Sequence, residues 1–194
     1  MNKGLTLTEL LVATILMGIV MAGVASFSLV VKQAGETTSS GTILAIQTVT
    51  AMRYIKEDAL SAVGDNGNRG VVSSGLFNES VCFRHDTNNT PSYLDDTWAC
   101  YWYDNASNAL WKCASLAAPP ASFNDCNPAG AAIKFVTLDP AAAQYFSIVN
   151  DAQGRFGYVD INLNAIAKPT QAADPIKNPT YQLTTRISPP AHGR

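Results

Sequence analysis

The sequence predicts an α+β protein in which a long N-terminal α-helix, apolar enough in its first half to span a membrane, packs on an antiparallel β-sheet. Three observations predict this class. Residues 10–31 form an uncharged apolar run, and apolar residues at helical spacing follow as far as residue 63. Beyond residue 80, short aromatic and β-branched segments alternate with turn-forming residues, which is typical of strands.

The apolar run predicts a membrane-spanning helix. Its 22 residues make about 33 Å of helix, close to the ~30 Å hydrocarbon thickness of a bilayer. A secretory signal peptide has a shorter apolar core followed by a small-residue cleavage site, whereas here Ala22, Gly23 and Ala25 lie inside the run. We therefore predict a single-pass anchor whose N-terminus is held on the cytoplasmic side by Lys3.

Residues 32–63 are predicted to continue this helix in amphipathic form. Apolar residues recur at spacings of three and four, which places them on one face of an α-helix. They are Ile46, Val49, Met52, Ile55, Ala59 and Val63. The glycine- and asparagine-rich stretch 64–70 is a strong turn signal and ends the helix. The face needs a surface to pack on, because isolated helices are marginally stable in water.

Residues 64–194 are predicted to form an antiparallel β domain that supplies this surface. Seven segments have the composition of strands, and 159–163 alternates apolar and polar residues as a half-buried strand does. The candidate strands are 81–84, 98–103, 109–113, 133–138, 146–149, 157–163 and 181–187. Residues 168–179 contain three prolines and are predicted to be a connector.

The four cysteines, all beyond the membrane run, are disulfide candidates: Cys82, Cys100, Cys113 and Cys126. An even number in an exported domain indicates two bridges, and the wide spacing disfavours a metal site. Cys100 and Cys113 are symmetric about a predicted hairpin turn, so they could face each other. Sequential pairing, Cys82 with Cys100 and Cys113 with Cys126, is the other arrangement we consider.

Glu9 at the head of the apolar run requires an explanation. A carboxylate at the edge of the hydrocarbon region is costly and usually has a partner. The nearest cation in the sequence is Lys3, six residues back. If the chain were cut before Leu5, its new terminal amine would lie four residues from Glu9 and could serve as a cation.

The segment 3–12, KGLTLTELLV, resembles the class III signal of type IV pilins and type II secretion pseudopilins. The resemblance implies a pilin fold and a leader, 1–4, that prepilin peptidase cuts after Gly4 before methylating the amine of Leu5. It also implies a transmembrane and assembly helix over 5–31, in which Glu9 neutralises the terminal amine of a neighbouring subunit. Two departures are mild, since Leu5 replaces the commoner Phe and Thr8 replaces an aliphatic residue.

Weaker features resemble the minor pilins of the PilW type and the J-type pseudopilins. They are the segment YIKEDALSA at the helix end, the hairpin ending at 110–112, and the late segments YVDINL and YQLTTRIS. We therefore expect a minor pilin that acts in pilus assembly or initiation. A J-type pseudopilin of a type II secretion system is one alternative, and an unprocessed bitopic protein with a periplasmic binding domain is another.

These interpretations place the chain in the bacterial inner membrane before assembly and in the periplasm or the pilus afterwards. The expected partners are other pilins or pseudopilins, prepilin peptidase and the inner-membrane assembly platform. With 13 basic and 15 acidic residues and no basic patch, we expect no nucleic-acid partner.

Motifs for enzymatic chemistry are weak. His85 and His192 lie in no metal-ligand spacing, and neither a nucleophile elbow nor a phosphate-binding loop occurs. Neighbouring Asp95 and Asp96 are expected in a solvated loop, and 65–68 lacks the full ligand series of a calcium loop. We therefore expect no enzyme, no cofactor and no metal.

An aromatic cluster has two interpretations. It could form a carbohydrate or partner surface, or it could supply the sheet core and its cross-strand pairs, which we favour. Its members are Trp98, Tyr101, Trp102, Tyr103 and Trp111.

Overall fold

The structure is a computed structural model of the chain. It describes residues 7–64, 69–73, 79–90, 92–120, 132–142, 144–150, 156–174 and 177–189. The chain divides into two compact units, Met1–Ser40 and Gly41–Arg194. The boundary lies within the segment predicted as the amphipathic continuation of the helix.

The first unit is the N-terminal part of helix α1, which covers Leu7–Leu60. Every side chain described between residues 7 and 40 is exposed, and the helix is long and apolar enough to cross a membrane. The hydroxyl groups within the apolar run bond to backbone carbonyls one turn back, as Ser26 does to Ala22 and Ser28 to Val24, each at 2.9 Å. This local bonding satisfies polar groups that lipid could not.

In the second unit, the C-terminal part of α1 packs on the sheets through a face of small and medium side chains. Its buried members are Leu44, Thr48, Ala51, Met52, Ile55 and Ala59. The predicted face was wrong at Ile46 and Val49, whose side chains are exposed. The helix ends at Leu60, three residues before the predicted end.

The larger sheet has five antiparallel strands in chain order, β1-β2-β3-β4-β5. The strands are β1 (Val71–Val72), β2 (Ser80–His85), β3 (Thr97–Asp104), β4 (Ala109–Leu116) and β5 (Ala132–Thr137). The short strand β1 was not predicted. One face of the sheet packs on α1 through side chains such as Phe83, Tyr101 and Leu110, and the other face carries Trp102 and Cys113 in a small second cluster.

The second sheet has three antiparallel strands in the order β6-β7-β8. They are β6 (Phe146–Asn150), β7 (Phe156–Ile166) and β8 (Thr180–Ile187). The predicted alternation in β7 is confirmed, since Val159, Ile161 and Leu163 are buried in the main core. A single bridge between Leu138 and Ala165 connects the end of the first sheet to the second.

These elements give an α+β architecture, with a long N-terminal helix packed on antiparallel sheets, as in the pilin fold. The chain leaves α1 and returns to β2 through close backbone contacts: Val63 N–H donates to the Arg84 carbonyl at 2.9 Å, and Arg84 N–H donates to the Gly70 carbonyl at 2.8 Å. A Cβ added at Gly70 would lie 2.0 Å from the Val63 carbonyl oxygen, so only glycine fits this crossing.

Candidate functional site

The N-terminal end of α1 is the candidate site for processing and assembly. Glu9 lies in the first helical turn, where a carboxylate is favoured by the helix dipole, and its side chain is exposed. Gly4 and Leu5, the residues of the predicted cleavage, lie outside the described residues. The turns that follow Glu9 expose large apolar side chains on every side of the helix, including Leu10, Leu11 and Val12. Such a surface requires lipid or other helices to cover it.

The C-terminal part of α1 is joined to the sheet by a charged cluster that the sequence did not predict. Asp58 Oδ2 lies 2.7 Å from Lys112 Nζ and accepts a 2.5 Å hydrogen bond from the Tyr101 hydroxyl. Lys112 also lies over the rings of Tyr54 and Tyr101, at 5.2 and 5.4 Å. Burial first, and Asp58 second, raise the pKa of Tyr101, so this phenol stays protonated and donates.

His85 lies at the edge of this cluster. Burial lowers its pKa below the ordinary value, and Lys112 lowers it further, whereas Asp58 acts in the opposite direction. Its Nε2 is buried and has no hydrogen-bond partner among the residues that the structure describes. In the described part of the chain, His85 is therefore a neutral structural side chain beside an ion pair. His192 lies outside the described residues.

Arg84 is a buried cation that sequence reasoning missed. Its Nε lies 3.8 Å from Asp96 Oδ2 and donates a 3.3 Å hydrogen bond to the carbonyl of Val63, just beyond the helix end. Its guanidinium lies 4.2 Å from the ring centroid of Tyr93. A buried arginine is costly unless paired, so this contact fixes both the helix end and the β2–β3 loop. No local pattern in the sequence signals it.

The neighbouring carboxylates Asp95 and Asp96 have different surroundings. Asp95 is exposed and accepts a hydrogen bond from the Thr90 hydroxyl, whereas Asp96 is buried beside Arg84. They therefore do not form a shared acid–base pair. Residues 65–68, the weak calcium-loop candidate, lie outside the described residues. Among the residues that the structure describes, no group of three or more His, Cys, Asp or Glu side chains is arranged to hold a metal ion.

A disulfide joins Cys82 on β2 to Cys100 on β3, with the two Cα atoms 4.0 Å apart. Cys100 also lies directly opposite Cys113 in the β3–β4 hairpin, as the symmetry of the two positions about the turn suggested. In the structure, however, Cys100 is bonded to Cys82. Cys113 is disulfide-bonded as well. Cys126 lies outside the described residues.

The aromatic cluster belongs mainly to the sheet. Tyr101 and Trp102 are fully buried, on opposite faces of β3, and Trp102 is the cross-strand partner of Trp111. Trp98 is half-buried, with its ring 5.4 Å from the Arg84 guanidinium. These positions agree with the interpretation of a sheet core and cross-strand pairs.

Comparison with known families gives one match: residues 1–25 match the family model of the prokaryotic N-terminal methylation motif. No curated protein and no solved structure matches the chain. The matched residues include Gly4, Leu5 and Glu9 and extend well into the apolar helix, so the motif and the membrane-length helix coincide. The chain therefore carries a type IV pilin-like class III signal, which supports membrane anchoring, processing by prepilin peptidase and a role as a pilin- or pseudopilin-type subunit.

Proposed function

We propose that this chain is a minor pilin, a non-enzymatic structural subunit for the assembly or initiation of a type IV pilus. The observation that carries the proposal is the methylation motif at residues 1–25, which leads into a helix whose apolar side chains are exposed on all sides. Prepilin peptidase cuts between Gly4 and Leu5 and methylates the amine of Leu5.

Assembly then transfers the apolar helix from lipid into a bundle of like helices. Within that bundle water is scarce and the local dielectric is low, so the Glu9 carboxylate interacts strongly with the terminal amine of a neighbouring subunit. The pairing also fixes axial register, because Glu9 of one chain has to align with Leu5 of another.

The exposed face of α1 in the second unit supports helix packing between subunits. Ile43, Ile46 and Val49 are exposed at helical spacing, on the side away from the sheet-facing Ala51 and Ile55. The next outward residues, Arg53 and Glu57, form an exposed ion pair at 2.7 Å. We propose that helix packing between subunits extends beyond the membrane as far as Val49 and ends at this charged pair.

The sequence favours a minor subunit over the main shaft subunit. The β domain has long connections, such as the stretch 86–96 between β2 and β3 and the stretch 167–179 between β7 and β8. A J-type pseudopilin shares these properties and remains the second candidate from the same superfamily. Either candidate, the minor pilin or the J-type pseudopilin, would occupy a low-copy position at or near the start of the filament.

The mass of the mature N-terminal peptide tests the proposal. We expect a chain that begins at Leu5 and carries one methyl group on its terminal amine. A chain that still begins at Met1 would contradict the proposal and favour an unprocessed bitopic membrane protein. Deleting the gene separates the two filament candidates: loss of surface pili agrees with the minor pilin, and loss of protein secretion with intact pili overturns it in favour of the pseudopilin.

A further inference from the structure

Three cysteines lie in a row across three neighbouring strands. Cys82 on β2 is the direct register partner of Cys100 on β3, and Cys100 is in turn the direct partner of Cys113 on β4. Directly opposed residues of antiparallel strands project their side chains to the same face of the sheet, so the three sulfur atoms share one face. That face is the one opposite α1, where Cys113 packs with Trp102.

Cys100 is therefore placed to bond with either neighbour. Directly opposed residues have Cα atoms about 4.5–5.5 Å apart, within the range that a disulfide spans. Cys82 and Cys113 are separated by two strand spacings, about 10 Å, which is too far for a bond. The strand register thus permits two alternative bridges, and both use Cys100.

The local structure of the β3–β4 hairpin favours formation of the Cys100–Cys113 bridge before the Cys82–Cys100 bridge. The β3–β4 turn is organised by Asp104, whose carboxylate accepts hydrogen bonds from the backbone of Ala106 and Ser107 and from the Ser107 hydroxyl. Only the turn 105–108 separates the two strands, whereas the longer stretch 86–96 separates β2 from β3. Loop length alone favours the hairpin bridge only slightly, because closure entropy grows slowly with length. The pre-organised turn is the main reason to expect that Cys100 meets Cys113 before it meets Cys82.

We propose that Cys100 is a shared cysteine in oxidative folding: it first bonds to Cys113 within the hairpin, and Cys82 then displaces Cys113 from it. The row geometry suits this exchange, because the attacking sulfur, the central sulfur and the leaving sulfur have to be nearly collinear. The inference rests on strand register and on the organised β3–β4 turn, and it is independent of the proposed function.

The exchange conserves electrons. The Cys82 thiol loses its proton, its thiolate attacks Sγ of Cys100, the Cys100–Cys113 bond breaks, and Cys113 leaves as a thiolate that takes up a proton. The later incorporation of Cys113 into its own disulfide is an oxidation, in which two electrons pass to an external disulfide oxidant.

In the finished fold Cys82, Cys100 and Cys113 are buried. All three are also disulfide-bonded there, so none of them is left as a thiolate that could continue the exchange.

The exchange also has a structural consequence. Until Cys82 bonds to Cys100, no disulfide joins strand β2 to the hairpin, and β2 carries the Arg84 contacts to Val63 and Gly70 that fix the chain after α1. The displacement therefore couples the final disulfide to the docking of the helix end.

Paired double variants of the full-length chain, oxidised in a glutathione redox buffer in detergent, test the register argument. Cys82→Ala with Cys126→Ala leaves Cys100 and Cys113, and we expect an intramolecular disulfide between them and no alkylation after denaturation without reductant. Cys100→Ala with Cys126→Ala leaves Cys82 and Cys113, and we expect both thiols to be alkylated. Two alkylated thiols in the first variant, or an intramolecular bridge in the second, would overturn the proposal.

Pulse-labelling of the unaltered chain in cells tests the order without relying on the stability of any variant. After a short pulse, acid quenching, alkylation and peptide mapping should find the Cys100–Cys113 peptide pair early, and the Cys82–Cys100 pair should replace it during the chase. Cys82→Ala should increase the early pair several-fold and prevent its decay. If Cys82–Cys100 accumulates from the earliest time with no Cys100–Cys113 pair before it, the exchange does not occur.

Discussion

At the scale of single residues, Glu9 is the side chain on which the assembly proposal depends. In lipid, a carboxylate in the first turn of α1 can move toward the headgroups or take up a proton, so insertion does not require it. In a helix bundle, a charge-assisted contact to a neighbouring amine meets little competition from water. Removal of the carboxylate should therefore affect assembly rather than folding.

We predict that Glu9→Ala is processed at Gly4, inserted and folded, yet recruited poorly into filaments. Cross-linking to other pilins in membranes and the number of filaments per cell measure the effect. Glu36→Ala is the matched control, because Glu36 is an exposed glutamate on the same helix beyond the apolar run. Equal recruitment of both variants would show that the Glu9 carboxylate has no role in assembly.

His85 provides a second prediction at this scale, on the pH dependence of stability. Burial holds the pKa of folded His85 below the ordinary value near 6.5, so below pH 6.5 the unfolded chain binds more protons than the folded one. The contribution of His85 to stability is therefore fully present above about pH 6.5 and is lost as the pH falls toward its folded pKa.

The measurement is the free energy of unfolding in urea, with full-length protein in detergent, at several pH values between 5 and 7.5. We expect stability to fall with acidification more steeply in the parent chain than in His85→Gln. Glu79 works in the opposite direction, since burial raises its carboxyl pKa, and its effect is common to both chains. Parallel curves for parent and variant would refute the assignment to His85.

At the scale of elements, the sequence predicted the helix and the seven longer strands, because local periodicity specifies the helix and local composition specifies the strands. It did not predict which face of the helix is buried, because the part of α1 that lies in the second unit of the chain carries two apolar stripes. Thr48, Ala51 and Ala59 allow a close approach to the sheet, and this steric fit is set by partners distant in the sequence. The larger Ile46 therefore lies outside although its spacing matched the pattern.

Two isoleucines of the same helix test this distinction. Ile55 is 0% exposed and Ile46 is 60% exposed. Ile55→Ala should reduce the free energy of unfolding by about 2–5 kcal/mol, because it leaves a cavity in the core. Ile46→Ala should change it by less than about 0.5 kcal/mol. Urea unfolding of the two variants measures both values, and similar losses would contradict the buried face described here.

The connector between β7 and β8 shows another limit of local patterns. Its prolines predicted an irregular segment, but the organising residue is Asn178, which is almost fully buried. Its amide nitrogen donates to the carbonyls of Lys168, Gln171 and Ala172, and its amide oxygen accepts from the Lys168 N–H. A single asparagine in a polar stretch carries no sequence signal for this role, because its partners are set by the fold of the loop.

At the scale of the whole molecule, the sequence predicted one sheet and the structure has two. The separation occurs between β5 and β6, where Tyr145 donates a hydrogen bond to the Asp139 carbonyl and its ring packs at a tilted angle on Tyr103, with the ring centroids 4.7 Å apart. Strand partners are chosen by contacts between residues far apart in the chain, so strand composition alone cannot assign them to sheets. The partly buried pair Asp58–Lys112 and the buried pair Arg84–Asp96 were not predicted for the same reason.

The N-terminal signal, in contrast, is local and could be predicted completely as a motif. The motif is defined by the order of a few neighbouring residues within 1–25, so its recognition in the sequence requires no knowledge of long-range packing. The second unit, Gly41–Arg194, contains the whole hydrophobic core of the described residues and the Cys82–Cys100 bridge. Folding of the β domain and processing of the signal should therefore be separable.

Gly4→Val tests this separation. A Cβ and two methyl groups next to the scissile bond should exclude the chain from the peptidase, so the variant should remain unprocessed in the inner membrane. Its second unit should still fold, with the Cys82–Cys100 disulfide formed, because the core of the described residues begins at Leu44, well beyond the leader in the chain. Gly35→Val is the matched control, since a Cβ at Gly35 meets nothing within 4 Å and the residue lies beyond the apolar run.

Gel mobility of the mature chain and non-reducing peptide mapping give the two readouts. Normal maturation of Gly4→Val would refute the cleavage site, and loss of the disulfide in the unprocessed chain would show that folding and processing are coupled.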